Sequence, residues 1–199
     1  MNEPSTFRGD GAGVTNRRFT RVATPLGDLL VAAAGEGIFG VFFDGQKHQP
    51  SREWFGVEIP SVTQHPDVQS AVRDELLDAA RDQLTAWFAG ERDDFDLPLA
   101  PLGTAFQRAV WEQLLAIPFG ATTTYGVISA ALSADGIAPP GQAQGVGQAV
   151  GHNPISVVVP CHRVVGSDGS LVGFAGGLER KRWLLAREES DETRESRLF

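Results

Sequence analysis

The sequence predicts an α+β protein: a small N-terminal antiparallel sheet with one helix, then a mainly helical C-terminal domain that contains a helix-turn-helix and the only cysteine. Three observations lead there. Short β-type apolar runs separated by turn residues crowd the start of the chain. A single four-residue apolar repeat follows them. After Pro101 the pattern becomes one of short helical segments broken by Gly and Pro.

Residues 1–18 read as a flexible leader, polar throughout and lacking the apolar stretch of a secretory signal. Phe19 to Ala23, Leu29 to Ala33 and Ile38 to Phe43 are strand-like. Pro25-Leu26-Gly27-Asp28 and Gly35-Glu36-Gly37 supply the turns between them. Val68, Val72, Leu76, Ala80, Leu84 and Phe88 recur every four residues, with Pro66 ahead and Gly90 behind, which predicts a helix. Residues 19–98 thus form an N-terminal α/β domain, and Asp93 to Pro101 reads as a linker.

The C-terminal domain, 99–188, opens with Thr104-Ala105-Phe106-Gln107, a capping box before Phe106, Val110 and Leu114 on one helical face. Pro118-Phe119-Gly120 stops that helix. Two short helices follow, from about Tyr125 to Leu132 and from about Pro140 to Val150, and their spacing suggests a helix-turn-helix. Gly141, Gly145 and Gly147 make the second helix costly, at roughly 1 kcal/mol each relative to Ala. A helix so bare of side chains packs closely against something, either its own core or a partner. Ile155 to Val159 reads as a buried strand ended by Pro160, and Ser167-Asp168-Gly169 as a turn. A last helix from about Leu178 to Glu188 turns Leu178, Leu184 and Leu185 inward. Residues 189–199 form a tail.

Composition narrows the function classes. Hydrophobic residues make up 42% of the 199, with twelve Phe and four Trp, enough for a real core. No run of eighteen apolar residues exists, so no membrane helix is expected. One Cys excludes an internal disulfide and a multi-cysteine zinc site, and a reducing cytoplasm is the default. The net charge of −8 argues at first against a nucleic-acid partner. Its distribution softens that: residues 1–98 hold nine Lys/Arg against sixteen Asp/Glu, whereas 99–188 hold six against five. The C-terminal domain can approach a polyanion, but without a strong basic field.

Cys161 sits in Pro160-Cys161-His162-Arg163-Val164. A lone Cys is commonly a small buried hydrophobe. As a nucleophile it needs a group to take its proton. His162 is adjacent, but neighbouring side chains of an extended segment point apart, so a turn after Pro160 or a bridging water is required. Glu188 is a carboxylate able to orient His162.

From Gly103 to Glu188 the chain closely resembles the O6-alkylguanine-DNA alkyltransferases. The matching pieces, in order, are Gly103-Thr104-Ala105-Phe106-Gln107, Val110-Trp111, Ile117-Pro118-Phe119-Gly120, Thr124-Tyr125-Gly126 and Gly151-His152-Asn153-Pro154. They continue through Ile155 to Val165, then Gly173-Phe174-Ala175-Gly176-Gly177-Leu178, Lys181 and Trp183-Leu184-Leu185. The resemblance implies a single-turnover acceptor for double-stranded DNA carrying O6-alkylguanine, with O4-alkylthymine a further possible substrate. The recognition helix would lie in the minor groove, the lesion would flip out, and Cys161 would take the alkyl group for good. By the same resemblance His162 reaches Cys161 through water and Glu188 orients His162. Tyr125 donates to the flipped base, and Asn153 braces the turn before the active segment. Ala143, Gln144, Gly145, Gly147 and Ser167 meet the DNA, and Val150, Val164, Phe174 and Ala175 line the base pocket. No cofactor or metal is implied, and a monomer is expected.

Three departures stand out. Gln144 occupies the position where the family usually carries an arginine that fills the gap left by the flipped base; Gln brings no charge and less reach. Phe174 stands where some members have Tyr. Some relatives bind zinc in the N-terminal domain through Cys and His, but here only His48 and His65 lie in that half. Three other readings stay open: a lesion binder that does not repair, a Cys-His hydrolase, which would turn over repeatedly, and a purely structural or interaction protein.

Overall fold

The computed structural model describes residues 16–60 and 74–189. Its first unit is built on a four-stranded sheet of order β3-β2-β1-β4, with β1 Arg18–Val22, β2 Leu29–Ala34, β3 Gly37–Phe43 and β4 Val57–Glu58. β1, β2 and β3 pair antiparallel as expected, but β4 runs parallel to β1, so the sheet is mixed. Two residues of β4 carry too little periodicity to be read as a strand. Strand alternation, shifted by a bulge in β3 opposite Ala32 and Ala33, sorts the faces. Phe19, Leu30, Phe39 and Phe42 form a buried cluster with Phe55, while Thr20 accepts from Arg81 Nη2 on the other face at 2.8 Å.

That second face is covered by helix α1, Glu75–Ala89. Asp74 caps it by accepting from Leu77 N at 3.0 Å, and Gly90, at φ 85°, closes it in the left-handed conformation. The buried stripe is Leu77, Ala80, Leu84 and Trp87, not the strict four-residue repeat, because 3.6 residues per turn advance the stripe. Val68 and Val72 lie outside the described residues. The segment read as a linker is part of the unit: Leu97 and Leu99 are buried, and Ile38 exchanges bonds with Pro98 O (2.8 Å) and from Ala100 N (2.7 Å). Its acidic composition hid two core leucines.

Pro154–Val158 also groups with this unit. Val41 N donates to Pro154 O and Ser156 N to Val41 O, each at 2.8 Å. The expected strand over Ile155 to Val159 does not form beyond that one bridge. Val158 N turns back onto Ser156 O at 2.9 Å, with Val157 at φ 73°. A β-branched residue there costs on the order of 1–3 kcal/mol and persists only where its surroundings hold it. Val157 is fully buried between these bonds.

The second unit comprises Gly103–Asn153 and the chain from Val159 onward. Helix α2, Ala105–Leu115, starts on the predicted capping box, with both Thr104 and Gln107 bonds made. Val110, Trp111 and Leu114 are its buried face. A two-stranded parallel pair joins β5 Thr123–Thr124 to β6 Val164–Val165. Helix α3, Tyr125–Ala134, is capped by Thr124, and helix α4 spans Ala143–Gly151. α2, α3 and α4 pack mutually, and Trp111 Nε1 donates to Ala149 O at 2.8 Å. α4 begins later than expected because Gly141, at φ 82°, is not helical. The closing helix α5 is Leu178–Glu188 as predicted, but it buries Lys181, Leu184 and Glu188 and leaves Leu178 exposed. No helix among the described residues is long and apolar enough to cross a membrane.

Candidate active site

The thiol of Cys161 lies at the start of a single 3-10 turn, Cys161–Arg163, directly after Pro160. Pro160, at φ −81° and ψ 62°, forms a tight three-residue turn in which Cys161 N donates to Val159 O at 2.8 Å. The extended geometry that would splay Cys161 and His162 apart is therefore replaced by a turn. Asn153 Nδ2 donates to Val159 O at 2.8 Å and to Cys161 Sγ at 3.1 Å. One buried amide thus ties the end of α4 to the turn and to the nucleophile.

Behind the turn, Glu188 receives four bonds. His162 Nε2 lies 2.9 Å from Oε1, Arg163 Nε 2.8 Å from Oε2, Arg163 Nη2 2.9 Å from Oε1, and Gly120 N 3.2 Å from Oε2. Arg163 Nη1 also donates to Ile117 O at 2.5 Å. With Nε2 engaged by the carboxylate, Nδ1 is the His162 nitrogen through which a thiol proton can be taken. Lys181, fully buried, donates to Val164 O at 2.5 Å, Val172 O at 2.6 Å and Gly173 O at 3.3 Å. Tyr125 shares one of those acceptors, its hydroxyl lying 3.2 Å from Val172 O.

Burial pushes the Cys161 thiol above its ordinary value, while the Asn153 bond and the Lys181 charge pull the other way. The resting thiol therefore keeps its proton and needs an acceptor. Burial lowers His162, outweighing Glu188, so its ring is held neutral and ready to accept. Although burial opposes it, Glu188 is pulled down to about 2 by its bonds to His162 and Arg163. Desolvation brings Lys181 down to about 8, and burial followed by the Cys161 charge raises the Tyr125 hydroxyl.

The remaining sequence-predicted residues divide into two groups. Val150 and Val164 are buried, and Phe174 and Ala175 are half-buried in the stretch before α5. Ala143, Gln144 and Ser167 are exposed. Gly145 and Gly147 do not share a face: a Cβ on Gly145 would meet Gln142 Oε1 at 3.2 Å and Phe106, whereas one on Gly147 would lie 3.7 Å from Tyr125 Cδ1. Glycines two apart in a helix are separated by about 200°, so Gly145 faces the unit's interior side and Gly147 the side of Tyr125.

Sequence reading passed over Arg163 and Lys181 as working parts. The signal was present: Lys181 and Glu188 fall at the spacing of Leu184 on α5, and Arg163 interrupts an apolar segment. Charged residues on a buried face are paired or functional. Among the described residues no group of three His, Cys, Asp or Glu side chains converges as a metal site would, and His48 is exposed.

Known proteins resemble the chain over most of its length. Residues 105–190 match the family model "6-O-methylguanine DNA methyltransferase, DNA binding domain". Residues 18–101 match "6-O-methylguanine DNA methyltransferase, ribonuclease-like domain". A methylated-DNA–protein-cysteine methyltransferase of Mycobacterium tuberculosis is 41% identical over 181 residues, covering 91% of this chain and 98% of the relative. One from Methanosarcina acetivorans is 40% identical over 168 residues, covering 84% and 95%. The crystal structure of Mycobacterium tuberculosis OGT in complex with DNA has a TM-score of 0.70 at 40% identity, covering 86% of this chain and 92% of that one. The O6-methylguanine-DNA methyltransferase of Pyrococcus kodakaraensis, at 22% identity and TM-score 0.54, shares the fold. The chain belongs to the 6-O-methylguanine DNA methyltransferase family.

Proposed function

We propose that this protein repairs DNA by moving the alkyl group of O6-alkylguanine onto Cys161, once per molecule. The observation that carries the reading is the buried thiol, held by Asn153 beside a neutral His162 that is itself anchored on Glu188. The S–C bond forms as the C–O6 bond breaks. The electron pair passes into the guanine, and the proton lost by the thiol, taken up through His162, ends on the released base. Tyr125 donates to that base after releasing Val172 O. The thioether does not regenerate the thiol, so the protein is consumed.

α3 and α4 enter the minor groove of double-stranded DNA, and the lesion rotates out against Val150, Val164, Phe174 and Ala175. Gln144 fills the gap behind it. Ser167, on an exposed turn, contacts the DNA backbone. The protein acts as a cytoplasmic monomer and uses no cofactor.

Intact mass after mixing with excess duplex bearing one O6-methylguanine tests this. The expected gain is one methyl group and no more, mapping to Cys161 and absent from Cys161→Ser. Lesion-selective binding with no mass change would make the protein a sensor, and continued turnover would make it a hydrolase.

A further inference from the structure

No Lys or Arg occurs between Arg108 and Arg163, a stretch that contains both α3 and α4. Within Tyr125–Gly151 the only charged residue is Asp135. The two bracketing arginines are committed inside the unit: Arg108 Nη1 donates to Gly103 O at 2.9 Å, and Arg163 is locked on Glu188. A helix-turn-helix that meets DNA in the ordinary way neutralises phosphates with basic side chains and releases counterions. This one has none to offer.

What α4 does present is an ordered pair of rows. At about 100° per residue, positions four apart fall nearly in line. Ala143, Gly147 and Gly151 make one row, and a Cβ added at Gly151 would meet nothing within 4 Å. Beside it run Gln144, Gln148 and His152, all exposed. Val146, Ala149 and Val150 are buried on the far side. The His152 ring is oriented by its Nδ1, which donates to Gln148 O at 2.8 Å, since a carbonyl only accepts. The outward surface of α4 is thus a side-chain-poor strip next to a strip of neutral hydrogen-bonding groups.

We propose that α4 holds the minor groove through this uncharged amide row, with Gln148 a DNA-contacting residue alongside Gln144, and that duplex association is consequently nearly independent of salt. The inference rests on the reading of α4 as the helix that meets DNA. The chemistry matches the groove: every base pair exposes acceptors there, A N3 and T O2 among them, and G·C adds one amino donor. A Gln amide both donates and accepts, so it bonds to any sequence, as a protein that must scan for a lesion requires. The small strip lets the backbone come close enough for such short side chains to reach.

The test uses the full chain and an unmodified fluorescent duplex, with Kd followed by anisotropy across a salt series. A log–log slope shallower than about −2, equivalent to roughly two phosphates, is expected. Gln148→Ala should weaken binding about five-fold, the loss of one neutral hydrogen bond. Gln148→Glu, which keeps the shape but turns the donor into a second acceptor with a charge, should weaken it several times more. Thermal melting checks that both variants fold, and an exposed position predicts no change. A slope as steep as that of a six-phosphate binder overturns the proposal, as does duplex affinity unaltered in both variants. Methyl transfer from an O6-methylguanine duplex to the wild-type protein is measured in parallel. Its absence overturns the repair reading, while intact transfer with unaltered variants overturns only the amide row. Failure of the wild type to bind duplex at all overturns both.

Discussion

Glu188 is the residue on which the site's charges balance: one carboxylate holds His162, Arg163 and the Gly120 amide. Its removal leaves a buried guanidinium without its anion, which typically costs about 3 kcal/mol or more. Glu188→Gln should therefore lower the urea midpoint at pH 7 and slow alkyl transfer, read by denaturation and single-turnover kinetics. The pH sign follows from the folded value of about 2 against an ordinary 4.5. Stability from this carboxylate is complete above pH 4.5 and drains away as pH falls toward 2. His162, depressed below 6.5, adds the same sign, because protonating it favours the unfolded chain as pH drops. Wild-type stability should decline steadily from pH 6.5 to 3, and Glu188→Gln should flatten the lower part of that curve. At Gln144 the prediction is a gain: Gln144→Arg adds charge and reach at an exposed position. Duplex affinity or transfer rate should rise, and no gain in either would sink the gap-filling role given to Gln144. Cys161, His162 and Glu188 were legible from their types as candidates, their roles coming from the family resemblance. Asn153's grip on the thiol was not, because a contact across the Pro160 turn has no sequence period.

At the scale of elements, α4 shows why a weak helix is kept. Gly147 lies inside it, yet a Cβ there would make only ordinary contact with Tyr125 at 3.7 Å. Gly147→Ala should accordingly stabilise the fold, by up to about 1 kcal/mol of helix propensity, and raise the melting temperature. It should also weaken duplex binding, because the added methyl stands on the strip proposed to approach the groove. Higher melting with unaltered DNA affinity would assign Gly147 to internal packing. Element reading succeeded where local signals were strong: the Thr104–Gln107 capping box and the full extent of α5 came out as predicted. It failed at Ile155 to Val159, where an apolar β-branched run looks like a strand but its only pairing is one bridge to Val41.

For the molecule as a whole, the chain order and the packing order differ. Residues Pro154–Val158 are encoded between α4 and Cys161 but group with the N-terminal unit. Their hydrogen bonds go to Val41 on β3. Expressing residues 103–199 alone should expose Ile155, Val157 and Val158, all buried in the full chain, and release the strained turn at Val157. We expect such a fragment to bind a hydrophobic dye, melt without cooperativity and lose transfer to Cys161, although every residue named in the chemistry is retained. A fragment that melts cooperatively and reacts at the full-length rate would show that β3 is dispensable.

By itself the sequence determined the α+β class and the order of most elements, and it marked Cys161, His162 and Glu188 as a candidate nucleophile and relay. These are properties of residue type and short-range period, written along the chain. Only the tertiary structure decided that β4 runs parallel to β1, that Pro154–Val158 turns back instead of extending, that Lys181 and Arg163 are buried ionic struts, and that Gly145 and Gly147 face different neighbours. Each of those depends on which distant groups satisfy a buried backbone amide or charge, and burial makes that partner obligatory without encoding its identity nearby in the chain.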